Sequence, residues 1–171
     1  MTMAELLCVD EKLVALAQDL VAKLKRLSLT IVTAESCTGG LIAALLSYAP
    51  GASECLQGAF VAYTSHQKTK ALEVSARLLA EEGSVSGEVA FQMAKGALSY
   101  SDASIGLAVT GVLGPGADDD GNPPGLVYFA AGLRGGDVRV IKEQFTDGDP
   151  DRVRRRIILR AFAFIEEAAT A

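Results

Sequence analysis

The sequence is poor in the residues that build metal sites and disulfide frameworks. It has one histidine and three cysteines in 171 residues. Cys8, Cys37 and Cys55 form an odd set without close paired spacing, which is typical of reduced cytoplasmic thiols. A zinc site needs clustered thiolate and imidazole ligands, which these cysteines and the single His66 do not supply. We therefore expect no bound metal and a cytoplasmic protein.

Long apolar runs and an excess of positive charge are also missing. No apolar run approaches the roughly 18 residues of a membrane-spanning helix. The start, MTMAELLCVDEK, lacks the basic region and apolar core of an export signal. The net charge of −5 argues against a nucleic-acid surface, which needs clustered positive charge. The one basic cluster, RVRRRIILR, has the spacing of a charged outer face on an amphipathic helix.

Apolar spacing predicts alternating helices and strands. Helices are predicted over 10–27, after the glycines at 39 and 40, over 68–73, 75–82 and 86–101, and over 149–170. Strands are predicted over 29–34 and 55–64 and from about residues 104, 125 and 137, the last two joined as an antiparallel hairpin. The pattern indicates a single domain over residues 1–171. Its predicted fold is a three-layer α/β/α sandwich with a mixed, mostly parallel sheet that carries an antiparallel hairpin.

The segment TAESCTGG places Ser36 where a strand turns into a helix. Free amide groups at a helix start bind anions, Gly39 and Gly40 allow close approach, and Thr38 adds a hydroxyl donor. The simpler interpretation is that Ser36 or Thr38 caps the helix. Cys37 is an alternative nucleophile without an evident base.

A nucleophilic serine needs a base, and two candidates lie in YTSHQKTK. His66 and Lys68 can each reach Ser36 if the two strand ends are adjacent. A lysine acts as a base only where a dry pocket lowers its pKa. Tyr63 is a candidate for relaying the proton or donating a hydrogen bond, although a strand-end aromatic and a solvated lysine are the plainer interpretations.

The segment AVTGVLGPG is predicted to form a second wall of the pocket. Thr110 offers a hydroxyl there, and Gly111 and Gly114 offer close backbone access. The acids that follow, at residues 118–120, lack the spacing of a calcium loop and are expected to be solvated. An arginine at the start of the last helix is placed to reach a phosphate or carboxylate.

These motifs together resemble the CinA carboxy-terminal domain family, whose stand-alone members include nicotinamide mononucleotide deamidases. The similarity lies in AESCTGGLIAALL, GAFVAYTSHQKTKALEV, VSGEVAFQMAKGA and AVTGVLGPGADDDGNPPGLVYFA, in the family's order. The resemblance implies hydrolysis of the nicotinamide carboxamide of a small nucleotide without a metal or organic cofactor. From the negative net charge and the lack of a long apolar run we expect no nucleic-acid or membrane partner, and a homo-oligomer is left open.

The resemblance also implies roles for individual residues. Ser36 is the implied nucleophile, Lys68 the base and Tyr63 the assisting group. The backbone at Thr38, Gly39 and Gly40 is implied to hold the nucleotide and the oxyanion. The other substrate-binding residues expected are Thr110, Gly111, Gly114 and Arg152.

The chain departs from the family pattern at three places. Ser65 stands where the family usually has asparagine, Asn122 where it commonly has lysine, and Pro150 where it has the arginine of Gly-Asp-Arg. Arg152 is the nearest arginine to that last position. These departures support a second hypothesis, a non-catalytic nucleotide-binding or regulatory module on the same fold.

Overall fold

The computed structural model describes residues 9–170 of the chain. Cys8 and most of the segment on which the prediction of no export signal rests lie outside the described residues. The strands are β1 (Ile31–Glu35), β2 (Leu56–Val61), β3 (Ile105–Gly111), β4 (Leu126–Leu133) and β5 (Val138–Gln144). The helices are α1 (Glu11–Arg26), α2 (Leu41–Tyr48), α3 (Ser65–Leu72), α4 (Ala76–Glu82), α5 (Gly87–Ser99) and α6 (Pro150–Ala169). A short 3-10 turn, Ala52–Glu54, precedes β2.

The strands form one mixed sheet in the order β2-β1-β3-β4-β5. β1 pairs in parallel with β2 and with β3, whereas β4 runs antiparallel to both β3 and β5. Four of these five strands therefore run in one direction, and β4–β5 is the predicted hairpin. The predicted fold class, with its antiparallel hairpin, is confirmed.

Helices cover both faces of the sheet because its central strands are apolar on both sides. Ile105, Leu107 and Val109 of β3 point into a core shared with α1, α2 and α6. Ala108, between them, points into the opposite core, which is built with α3, α4 and α5. This alternation follows from the two-residue period of a strand. Within residues 9–170, no helix is both long and apolar enough to cross a membrane.

The parallel strands β2, β1 and β3 end at the same edge of the sheet, with β1 in the middle. The turn that holds Ser36 follows β1, Tyr63 follows β2, and Thr110 and Gly111 end β3. The backbone ties these ends together, because Ser36 N–H donates to Val109 O at 3.0 Å. Open α/β sheets bind ligands outside the carboxyl ends of their strands. A ligand-binding site is therefore expected at this edge of the sheet.

Candidate active site

A cleft of about 560 Å³ opens at this edge of the sheet. Ser36 and Tyr63 line it, together with Ser84, Arg154 and residues 111–118. The structure thus brings the turn after β1, the end of β2 and the loop after β3 around one space. A cleft of this size matches the ligand pockets of small molecules.

The carboxylate of Glu35, the residue before Ser36, is fully buried beneath this turn. It accepts hydrogen bonds from Thr38 Oγ1 at 2.7 Å and Thr33 Oγ1 at 3.1 Å. It also accepts from the amides of Ile42 at 3.1 Å and Ala43 at 2.9 Å. These two amides lie at the start of α2, where free amides were expected to bind a substrate anion, and they bind an internal carboxylate instead. A negative charge at this position is also favoured by the positive end of the helix dipole.

The start of α2 is not capped by Ser36 or by Thr38, the two candidates from the sequence. Gly40, with φ +92°, is the N-cap residue of α2, and no side chain at that position caps the helix. The Glu35 carboxylate accepts from amides in the first turn of the helix instead. Gly39 N–H donates to Ser36 O at 3.0 Å, and Thr38 donates its hydroxyl to Glu35. This corrects the expectation that the Thr38 hydroxyl and the Gly39 amide are free to hold a nucleotide.

We expect Glu35→Ala to lower the free energy of unfolding by about 3 kcal/mol, because buried donors then lose their acceptor. Urea denaturation measures this loss. Glu81→Ala is the matched control, since Glu81 forms only an exposed ion pair with Arg77. Its expected cost is below about 0.5 kcal/mol. Equal losses of unfolding free energy in the two variants would show that the hydrogen bonds to Glu35 add no more stability than an exposed ion pair.

Lys68 lies beneath the cleft, with only 1% of its surface exposed. Its Nζ donates to Ser84 O at 2.6 Å and to Thr110 Oγ1 at 2.8 Å. Thr110 in turn donates its hydroxyl to Ser84 O at 2.9 Å, so Thr110 serves the lysine here. Burial lowers the pKa of Lys68 to about 8. The dry pocket that a lysine base requires is therefore present.

The hydrogen bonds fix how a neutral Lys68 amine is oriented. A neutral amine has two hydrogens and one lone pair. Ser84 O and Thr110 Oγ1 accept the two hydrogens, which leaves the lone pair free to receive a proton. The charge of Lys68 also lowers the pKa of Cys37, the residue next to Ser36, although burial raises that pKa by more.

The two alternative groups are poorly placed for chemistry. Burial raises the pKa of the Cys37 thiol to about 12, so it stays protonated and weakly nucleophilic. His66 is exposed at the start of α3, where it lines a separate depression with Ser65 and Thr69. Among the residues described, no group of three or more His, Cys, Asp or Glu side chains is arranged to hold a metal ion.

Comparison with known proteins agrees with this architecture. The family model of the CinA C-terminal domain matches residues 13–169. The chain belongs to the CinA C-terminal domain family. A solved competence/damage inducible protein from Agrobacterium tumefaciens is 35% identical, with a TM-score of 0.88 over 93% of this chain and 96% of that one. A solved CinA superfamily protein from Escherichia coli is also 35% identical, with a TM-score of 0.84 over 88% and 87% of the two chains.

Curated relatives of this CinA domain are longer proteins. A CinA-like protein from Kosmotoga olearia is 36% identical over 154 residues, which are 90% of this chain and 37% of that protein. The chain spans about a third of the length of the curated relatives it matches.

The structure changes which arginine of this CinA domain belongs to the cleft. Arg152 is not among the lining residues, and 76% of its side chain is exposed beside Asp149. Arg154 lines the cleft instead, with 25% of its side chain exposed and a hydrogen bond of 2.8 Å to Asp151. Two residues along a helix turn the side chain by about 200°, so the two arginines of α6 face opposite ways. The expectation for Arg152 is corrected accordingly.

The other departures from the CinA pattern are accommodated locally. Thr64 caps α3 by accepting from Gln67 N at 3.3 Å, so the helix that carries Lys68 begins normally at Ser65. Asn122 donates its side-chain amide to Asp118 Oδ2 at 2.9 Å. Asp118 lines the cleft and is half-buried, which corrects its interpretation as a solvated acid.

Proposed function

We propose that this CinA domain is an amidohydrolase that converts nicotinamide mononucleotide to nicotinate mononucleotide and ammonia. The observation that carries the proposal is the buried Lys68, whose pKa is lowered to about 8 beneath a cleft that contains Ser36. Simple ligand binding does not require a buried lysine with a perturbed pKa, whereas a Ser–Lys pair for acyl transfer does. The choice of a pyridine nucleotide rests on the family resemblance.

The proposed reaction has two halves. Neutral Lys68 takes the proton of Ser36 Oγ as this oxygen attacks the carboxamide carbon. The protonated lysine then gives its proton to the leaving nitrogen, which departs as ammonia and leaves a nicotinoyl ester on Ser36. In the second half, Lys68 takes a proton from water and the hydroxide attacks the ester carbon. The bond from this carbon to Ser36 Oγ then breaks, Lys68 returns the proton to Oγ, and the acid product leaves.

The groups around Ser36 suit the charge that develops in this reaction. In residues 9–170, the amide groups of Cys37 and Thr38 make no backbone hydrogen bond and are our candidates for the oxyanion donors. Tyr63 lines the cleft with 70% of its surface exposed, so its hydroxyl is accessible to a bound substrate. Gly111 and Gly114 also line the cleft, and a Cβ on Gly111 would lie 2.6 Å from Leu126 O, so glycine is needed there for the pairing of β3 with β4.

Arg154 is the proposed phosphate ligand. We expect Arg154→Ala to raise the KM for nicotinamide mononucleotide about tenfold, because a charge-assisted contact to the phosphate is lost. Its KM for nicotinamide riboside, which has no phosphate, should stay nearly constant. Arg152→Ala, two residues away on the exposed face, is the matched control and should change neither value by more than about twofold. Equal losses for nucleotide and nucleoside would remove Arg154 from phosphate binding.

The test of the activity is ammonia release from nicotinamide mononucleotide by the purified protein in the presence of a chelator. The proposal predicts stoichiometric ammonia and nicotinate mononucleotide. The second hypothesis, a nucleotide-binding module, predicts saturable nucleotide binding without ammonia. The proposed setting is the cytoplasm, in agreement with the free thiols of Cys37 and Cys55.

A further inference from the structure

The loop between β3 and β4 is closed by the side chain of Asp118. Its Oδ1 accepts from the amides of Asp120 at 3.1 Å and Asn122 at 2.8 Å, and its Oδ2 accepts from the Asn122 side chain at 2.9 Å. Gly121 N–H also donates to Asp118 O at 3.0 Å. An Asp side chain that bonds to amides two and four residues ahead fixes a tight turn. The loop therefore presents Asp120 in a defined position.

Asp120 contacts the connection between α4 and α5. Its Oδ2 accepts a hydrogen bond from Ser84 N at 3.3 Å. A Cβ on Gly83 would press on the carboxylate of Asp120, which would then have to shift. Gly83 also has φ +75°, which other residues rarely adopt. The loop that carries Asp120 and the α4–α5 connection at Gly83 and Ser84 therefore pack closely at this contact.

Ser84 is the residue that also holds the lysine. Its amide is bound by Asp120, while its carbonyl oxygen accepts from both Lys68 and Thr110. A shift of Ser84 therefore moves an acceptor of the Lys68 amine. It also moves the cleft wall, because Ser84 lines the cleft.

We propose that Asp120 is a positioning residue, which holds Ser84 so that the Ser84 carbonyl fixes the direction of the Lys68 amine and keeps water from it. This inference rests on the proposed function for its link to catalysis, since Lys68 is the base of that reaction. Asp120 touches no reacting atom. It acts through Ser84, and it joins the loop that lines the cleft to the buried base.

A purely electrostatic role for Asp120 predicts a different result. The titratable groups near Lys68, namely Cys37, Asp118 and Asp120, all act to raise its pKa, against the larger lowering by burial. Removing only the charge of Asp120 therefore lowers the pKa of Lys68. Removing the hydrogen bond to Ser84 admits water to the lysine and raises its pKa, because desolvation is the main cause of the lowering.

The experiment measures the Lys68 pKa by NMR in protein labelled with carbon-13 at the lysine ε position, with the Lys68 signal assigned through Lys68→Met. Asp120→Asn removes the charge and keeps an acceptor oxygen, whereas Asp120→Ala removes both. Asp119→Ala is the matched control, because Asp119 is an exposed neighbouring acid. We expect the pKa to rise in Asp120→Ala, to fall slightly in Asp120→Asn, and to stay nearly unchanged in Asp119→Ala.

Kinetics supply the second readout. We expect Asp120→Ala to lower kcat for ammonia release about tenfold with little change in KM, as a misplaced base would. An Asp120→Ala pKa no higher than that of Asp120→Asn, which loses the same charge, would overturn the positioning role. If the parent releases no ammonia, the proposed function fails, and the NMR comparison still decides whether Asp120 positions Lys68.

Discussion

Replacing Lys68 with methionine is expected to abolish ammonia release and to stabilise the folded protein. Turnover is lost because methionine cannot accept the proton of Ser36. Stability rises because burial lowers the pKa of Lys68 from 10.5 to about 8, which corresponds to a cost of about 3 kcal/mol for burying the charged amine. Some of this gain is offset by the two hydrogen bonds that Lys68 donates, so we expect a net gain of about 2 kcal/mol.

The environment of Lys68 tolerates this change. The carbonyl of Ser84 keeps the hydrogen bond from Thr110 after the lysine is removed, so it is not left buried without a donor. Methionine has a similar length and fills irregular space well. The variant therefore removes the charge without opening a large cavity.

The stability gain should depend on pH in a defined window. Below pH 8 the amine is charged in both the folded and the unfolded protein, and the full cost of burial applies. Between pH 8 and 10.5 the folded protein loses this proton while the unfolded protein keeps it, so the stability of the parent rises with pH. The advantage of Lys68→Met is therefore largest below pH 8 and shrinks toward pH 10.5.

Urea denaturation at several pH values, together with an ammonia assay, measures both effects. Lys70→Met is the matched control, because Lys70 is exposed on the same helix and should change neither stability nor turnover. Loss of stability in Lys68→Met at neutral pH would mean that Lys68 is a favourable structural partner rather than a buried base. Full turnover in Lys68→Met would eliminate it as the base.

Replacing Ser36 with alanine is expected to lower kcat by at least about a thousandfold, because the proposed nucleophile of the covalent step is removed. Nucleotide binding should persist, since Arg154 and the residue 111–118 loop remain in place. Calorimetric titration with nicotinamide mononucleotide and the ammonia assay separate these two effects.

A second serine provides the control for this variant. Ser47 is exposed on α2, where its hydroxyl donates to Ala44 O, and Ser47→Ala should keep the parent's turnover. A Ser36→Ala protein that still released ammonia would exclude Ser36 as the nucleophile. Loss of nucleotide binding together with turnover would assign Ser36 to substrate binding.

Much of the fold could be predicted because periodicity depends on neighbouring residues. Seven apolar residues at helical spacing in the first helical segment were expected to share a buried face, and five of them, Leu13, Ala17, Leu20, Val21 and Leu24, are buried. Leu16 is half-buried, and Leu27, just after the end of α1, is 45% exposed. The order of strands could not be predicted, since it depends on contacts between distant segments that alternating patterns do not specify. The hairpin was predictable because Arg134, Gly135 and Gly136 form a short turn signal between two strand-like segments.

The candidate site was predictable only in part. Ser36 and Lys68 stand in recognisable segments, but the role of Glu35 depends on the α2 amides that fold back over it. Arg154 was missed because distance along the chain favoured Arg152, whereas the direction of an arginine depends on the turn of α6. An acid between an apolar strand and a Ser-Cys-Thr-Gly-Gly turn is the sequence signal that points to Glu35.

The measurement that tests the central claim most directly is kcat/KM for ammonia release from nicotinamide mononucleotide, with chelator present, from about pH 6 to pH 10. A neutral Lys68 base predicts activity that rises with pH through an apparent pKa of about 8 and then levels off. Absence of ammonia at every pH from a folded protein that binds the nucleotide would contradict the account and favour the binding module.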